Sequence, residues 1–137
     1  MDIEDGFRDY IAAFNRGDSA AYGAYYCDDV VLVIAAHTIL RGRRAILDFY
    51  VKVRAGTERS ITVVDVLARG DRLAAELESE FLATRDLPDF SPGPMQAGDR
   101  LFLNSFVFYD LEGGLYRRIR SATHRREFRP APDPACG

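Results

Sequence analysis

Apolar residues open the chain at helical spacing. Ile3, Phe7, Tyr10, Ile11 and Phe14 fall on one face between Asp2 and Asn15, which predicts an amphipathic helix. Gly17 supplies a left-handed stop, and Asp18 caps a second helix from Ser19 to about Tyr26. Asp28-Asp29 ends that helix, and the run Val30-Val31-Leu32-Val33-Ile34 reads as a buried strand. A turn at His37-Thr38 and a short strand Ile39-Leu40-Arg41 come next. Gly42 then opens a third helix through about Arg54, with Ile46, Phe49, Tyr50 and Val53 as its stripe.

Past residue 60 the period drops to two. Ile61 to Arg69, Arg72 to Arg85, Leu101 to Tyr109 and Leu115 to Phe128 read as strands, hinged at Gly70-Asp71 and at Glu112-Gly113-Gly114. Residues 86–98 form a Pro/Gly-rich loop, and residues 129–137 a flexible Pro-rich tail that cannot form a ladder. Helices first and antiparallel strands afterwards predict a single α+β domain over residues 1–128, with three N-terminal helices on one face of a curved sheet.

Two strands speak to which face is which. In Arg72 to Arg85, Ala75, Leu77, Ser79, Phe81 and Ala83 alternate with Glu76, Glu78 and Glu80, and the glutamates belong outside. Leu101 to Tyr109 is apolar on both faces: Phe102, Phe106 and Phe108 on one, Leu101, Leu103, Val107 and Tyr109 on the other. With Phe102 and Phe106 inward, Asn104 faces the interior too. The other face then needs a cover, and a homodimer through the outer sheet face would provide it; a charge at Leu103 or Val107 is expected to weaken that dimer.

Composition narrows the partners. The 137 residues are 47% hydrophobic and 28% charged, the balance of a globular protein, and the net charge of −3 disfavours nucleic acid or an anionic membrane. No apolar run approaches the roughly 20 residues that a spanning helix needs. An acidic N-terminus argues against a secretory leader, and Cys27 and Cys136 do not make a disulfide scaffold, so a cytoplasmic protein with reduced thiols is expected. Arg117, Arg118, Arg120, Arg125, Arg126 and Arg129 read as an outward strand face paired with acidic neighbours. No cysteine or histidine pair has metal-ligand spacing, and no phosphate-cradling loop or nucleophile elbow occurs, so neither metal nor cofactor is expected.

Four stretches together carry a resemblance. They are Tyr10-Ile-Ala-Ala-Phe-Asn-Arg-Gly-Asp18, Tyr26-Cys-Asp-Asp-Val30, Arg41-Gly-Arg-Arg-Ala-Ile-Leu-Asp-Phe-Tyr50, and the closing strand from Gly114 to His124. In this order they resemble the nuclear-transport-factor-2-like superfamily, which includes SnoaL-like polyketide cyclases and ketosteroid isomerases. The resemblance covers residues 5–128. It implies a cone built from a strongly curved, mostly antiparallel sheet, with an internal pocket; such a fold hosts many chemistries.

Compared with the ketosteroid isomerases, the oxyanion tyrosine falls on Tyr10, its supporting tyrosines on Tyr26 and Tyr50, and the second oxyanion donor on Asn104. The family's aspartate base would stand near Ile34 or Ala35, yet no carboxylate occurs between Asp29 and Asp48, so a steroid isomerase of the known kind is disfavoured. His37 and His124 are the remaining candidates for a base. Together these residues imply a pocket lined by Tyr10, Phe14, Tyr26, Val33, Phe49, Tyr50 and Leu77 from the first half of the chain. From the second half come Phe81, Phe102, Asn104, Phe106, Ile119, Ser121 and Thr123. The pocket would take a polyketide-, terpenoid- or steroid-like ketone, either for proton transfer (isomerisation, cyclisation or dehydration) or for binding alone in a dimeric module.

Overall fold

The computed structural model describes residues 2–35, 38–90 and 92–132. Helix α1 (Ile3–Arg16) begins where the Asp2 carboxylate accepts from the Glu4 N–H, and it stops at Gly17, whose φ of 72° is the left-handed value glycine tolerates. Its stripe of Phe7, Tyr10, Ile11 and Phe14 is buried. Helix α2 (Ser19–Gly23) is capped by Asp18 and shorter than expected, because the chain extends at Tyr26 to start β1 (Tyr26–Ile34). Strand β2 (Thr38–Arg41) and helix α3 (Arg43–Gly56) follow.

The remaining strands are β3 (Thr57–Arg69), β4 (Arg72–Ala83), β5 (Arg100–Glu112) and β6 (Leu115–Arg129). The sheet order is β2-β1-β6-β5-β4-β3; every neighbouring pair is antiparallel except β1 with β6. Register slips at Val63/Asp65 on β3 and at Asn104/Ser105 between β5 and β6 are bulges, which bend and twist a sheet locally. The three helices cover one face of this curved, unclosed sheet, as the α+β pattern predicts.

Register decides the faces, and here one expectation is corrected. On β4 the glutamates do point outward, with Leu77, Ser79, Phe81 and Ala83 inward. Residues directly opposite one another on paired strands share a face, and Phe102, Asn104 and Phe106 stand opposite Glu80, Glu78 and Glu76. They are therefore outward; Leu101, Leu103, Ser105, Val107 and Tyr109 are inward. A charge at Leu103 or Val107 would strike the interior, not a dimer surface. Val33 is corrected on the same ground: Val30 and Leu32 are the buried members of β1, and Val33 alternates away from them.

The loop after β4 is tied down more firmly than its composition suggests. Leu87 and Met95 pair through two backbone hydrogen bonds, and the buried Asp99 carboxylate accepts from the Gln96 N–H and from the Ala131 N–H, both at 2.7 Å. Met95 packs with Phe81, Ala83 and Leu101 in a second, smaller core. Residues 133–137, with Cys136, lie outside the described residues.

Candidate functional site

Helices and inner sheet face enclose a cavity of about 460 Å³. From α1 it is lined by Tyr10, Ile11 and Phe14, and from α3 by Phe49, Tyr50 and Val53. The sheet contributes Leu32, Arg59, Leu77, Ser79, Phe81, Leu103, Ser105, Val107 and Tyr109, with Ile119, Ser121 and Thr123 from β6. Asp89, Phe90 and Pro92 of the tied-down loop complete the wall, and the exposed Lys52 and Asp89 sit at the mouth. A volume of this order suits a small organic molecule.

Its polar end is built by α1 and β1. The Tyr10 and Tyr26 hydroxyls are 2.7 Å apart, and both residues are almost wholly buried. Tyr26, the first residue of β1, stands behind Tyr10 and does not line the cavity. Burial, reinforced by neighbouring phenols, pushes both well above the ordinary phenol value of 10.0, and burial does the same to Tyr109. All three are neutral at physiological pH, able to donate a proton in a hydrogen bond.

Tyr50 is outside that hydrogen bond. It packs edge-on against Phe14, ring centroids 4.8 Å apart, and burial raises it while the nearby Arg59 charge pulls it back. The expected group of three phenols is thus one hydrogen-bonded pair plus a separate wall residue.

Other expected site residues lie elsewhere. Asn104 donates to a Glu76 carboxylate oxygen at 3.0 Å on the outer face, beside a shallow hollow lined by Glu78, Phe102, Arg125 and Glu127. That bond satisfies the amide, so Asn104 needs no ligand and cannot reach the Tyr10 hydroxyl to form an oxyanion hole. Phe106 is outside as well, stacked on His124 at 4.4 Å. The extra residue of the β6 bulge is His124, whose Nε2 lies 3.8 Å from Glu76. It is no base for the cavity. His37 lies outside the described residues.

Two of the six clustered arginines pair with acidic neighbours, Arg117 with Glu112 and Arg129 with Glu127; Arg126 instead donates to the Pro92 carbonyl and Arg120 lies over Phe108. Among the described residues no three His, Cys, Asp or Glu side chains gather as a metal would need, and no helix is long and apolar enough to cross a membrane.

Sequence reasoning missed Arg59. Strand β3 starts at Thr57, four residues earlier than predicted, so Arg59 falls in phase with Ile61 and Val63 on the inner face. Its guanidinium carbon lies over three rings: Phe81 at 4.7 Å, Phe14 at 5.1 Å and Tyr50 at 5.7 Å from the centroids. Burial pulls its pKa below the ordinary arginine value, opposed by the surrounding phenols, but a guanidinium stays cationic. The signal was present: an arginine at even spacing before two inward apolar residues. Ser105 and Thr123, whose hydroxyls are 3.2 Å apart, add a polar patch to the inner face.

No curated protein matches the chain in sequence. Solved structures share the fold at identities too low to carry an activity. A Pseudomonas putida protein provisionally named a polyketide cyclase is 24% identical, with a TM-score of 0.77, over 89% of this chain and 91% of that one. A SnoaL-like polyketide cyclase from Agrobacterium tumefaciens is 22% identical, with a TM-score of 0.73, over 91% and 93%. An LEH-like epoxide hydrolase from Mycobacterium tuberculosis is 13% identical, with a TM-score of 0.69, over 85% and 78%. The names span different reactions, as expected when one fold hosts many sites. Residues 7–119 match the SnoaL-like domain, and the chain belongs to that family.

Proposed function

We propose that the chain is a pocket protein for a small, flat, mostly apolar molecule bearing an oxygen, such as a polyketide-, terpenoid- or steroid-like ketone. The observation that carries this reading is the cavity of about 460 Å³, apolar in most of its wall, with the Tyr10 phenol as a neutral donor at one end. With ligand bound, Tyr26 donates to the Tyr10 oxygen and Tyr10 donates to the ligand, a relay in which each bond strengthens the next. The test is a titration of 2-tetralone followed by NMR. Saturable binding that weakens roughly five- to ten-fold in Tyr10→Phe supports the reading, a loss the size of one hydrogen bond. Unchanged affinity in the variant removes Tyr10 from it.

One observation favours a second reading, in which the pocket catalyses isomerisation, cyclisation or dehydration. Asp89 is the carboxylate among the described residues that lines the cavity. In this reading it removes a proton from the carbon next to the ketone, while Tyr10 holds the resulting enolate oxygen. Deuterium exchange into 2-tetralone, accelerated by the wild-type chain and lost in Asp89→Asn, supports catalysis; exchange at the buffer rate leaves a binding protein. A homodimer through the outer sheet face belongs to either reading, supported by Phe106 and Phe108, which stand 49% and 47% exposed there.

A further inference from the structure

Resting on the reading of the cavity as a ligand site, we propose that its ligand carries a carboxylate, seated on Arg59. The argument begins with what Arg59 lacks. Among the described residues no carboxylate forms an ion pair with it, although four exposed arginines of the outer face, Arg72, Arg100, Arg117 and Arg129, each have one. A cation taken out of water calls for a counter-charge. Asp89 and Lys52 sit at the mouth with opposite charges, so the rim gives neither sign an advantage.

Geometry then narrows the ligand. Rings of Phe14, Phe81 and Tyr50 surround the guanidinium carbon at 4.7–5.7 Å, contacts that use the π-system and consume none of its N–H donors. Of these donors, one Nη hydrogen reaches Ser79 Oγ at 3.3 Å, a long bond. Nε is sealed from solvent without a partner, so a ligand meets the fork through its two Nη atoms. Two donors side by side match the two oxygens of a carboxylate. With Arg59 the one cation inside the apolar walls among the described residues, a monoanion is neutralised there whereas a phosphate dianion would keep an unpaired buried charge. Tyr10 lies one helical turn from Phe14, about 6 Å along the α1 axis. An acid group on Arg59 and a second oxygen at Tyr10 would therefore bracket a short apolar body, as in an aryl or oxo acid.

The experiment compares trans-cinnamate with trans-cinnamamide, which share a shape and differ in charge, by NMR titration of the full chain. Cinnamate is expected to bind at least ten-fold more tightly to the wild-type chain, about what one charge-assisted pair contributes over a neutral one. In Arg59→Met that ratio falls to within about two-fold while cinnamamide affinity is kept, and in Lys52→Gln the ratio stands. Equal affinity of both probes for the wild-type chain, a comparison that needs no variant to fold, overturns the carboxylate inference and leaves the pocket intact. A preference that survives in Arg59→Met, or disappears in Lys52→Gln, overturns it too. Binding of neither probe at millimolar concentration overturns the ligand-site reading itself, and this inference with it.

Discussion

Strand β5 carries aromatic and polar residues on both sides, yet the two sides of the sheet solve the burial of polar groups in opposite ways. On the outer face, carboxylates are met by donors from neighbouring strands: Asn104 donates to Glu76, with His124 beside it, Arg72 pairs with Asp110, and Arg100 with Glu80. Arg120 and Arg72 also lie over the exposed Phe108 ring. Inside, away from Lys52 and Asp89 at the mouth, Tyr10 bonds Tyr26 and Ser105 bonds Thr123, and one cation, Arg59, is held by rings. On the outer face these charges meet partners from the chain itself. The inner face leaves the Arg59 cation without a carboxylate partner among the described residues, and that difference supports the proposed site.

The sharpest way to break the comparison is to put the same charge on each face. Val107→Glu places an unpaired carboxylate on the interior, where Val107 is 5% exposed, and is expected to prevent folding, seen as loss of the cooperative urea transition. Phe108→Glu, one residue along, is expected to fold normally and, on the dimer proposed for this face, to shift sedimentation toward monomer at micromolar concentration. Next in size, Leu101→Ala removes a wholly buried side chain and should cost about 2–5 kcal/mol in urea unfolding. Phe106→Ala on the outer face, measured at low protein concentration, should cost about 1 kcal/mol or less.

Alkali tests the phenols. Tyr10, Tyr26 and Tyr109 are raised by burial, so above pH 10 the folded chain holds protons that the unfolded chain releases. Their contribution is complete below pH 10 and is lost as pH climbs from there toward the folded values. Stability should fall by up to about 1.4 kcal/mol per pH unit for each such phenol. The phenolate absorbance of these three should appear only with unfolding; titration of every tyrosine in the folded chain near pH 10 would contradict their burial. Smaller still, Tyr26→Phe leaves the Tyr10 hydroxyl without its partner and is expected to cost about 1 kcal/mol, read as a lowered melting temperature.

Much of this architecture is legible in the amino-acid pattern, and its gaps have physical causes. Helix α1 announces itself by spacing and by caps at both ends. Strand β4 shows its faces because three glutamates cannot point into a core. Strand β5 offers no such marker: with apolar residues on both sides, its phase comes only from partners across the ladder, so alternation alone puts Phe102, Asn104 and Phe106 on the wrong face. Val33 in the all-apolar β1 failed likewise. Arg59 escaped because an early strand start at Thr57 has no apolar signal of its own. Asp89 and Phe90 line the cavity from a loop, where no period exists to place them. Tyr10 is legible through its family context, and its bond to Tyr26 comes from the first residue of β1 reaching the α1 tyrosine.

Intermolecular NOEs decide most directly whether the inner face is the ligand site. With 2-tetralone saturating a sample labelled at Leu and Val methyls and at Phe rings, NOEs are expected from the ligand to Leu77, Leu103 and Val107. None are expected to Phe106 or Phe108. NOEs confined to those outer phenylalanines, or a saturated sample with no contact to the three inner methyl groups, would contradict the assignment of the site to the cavity.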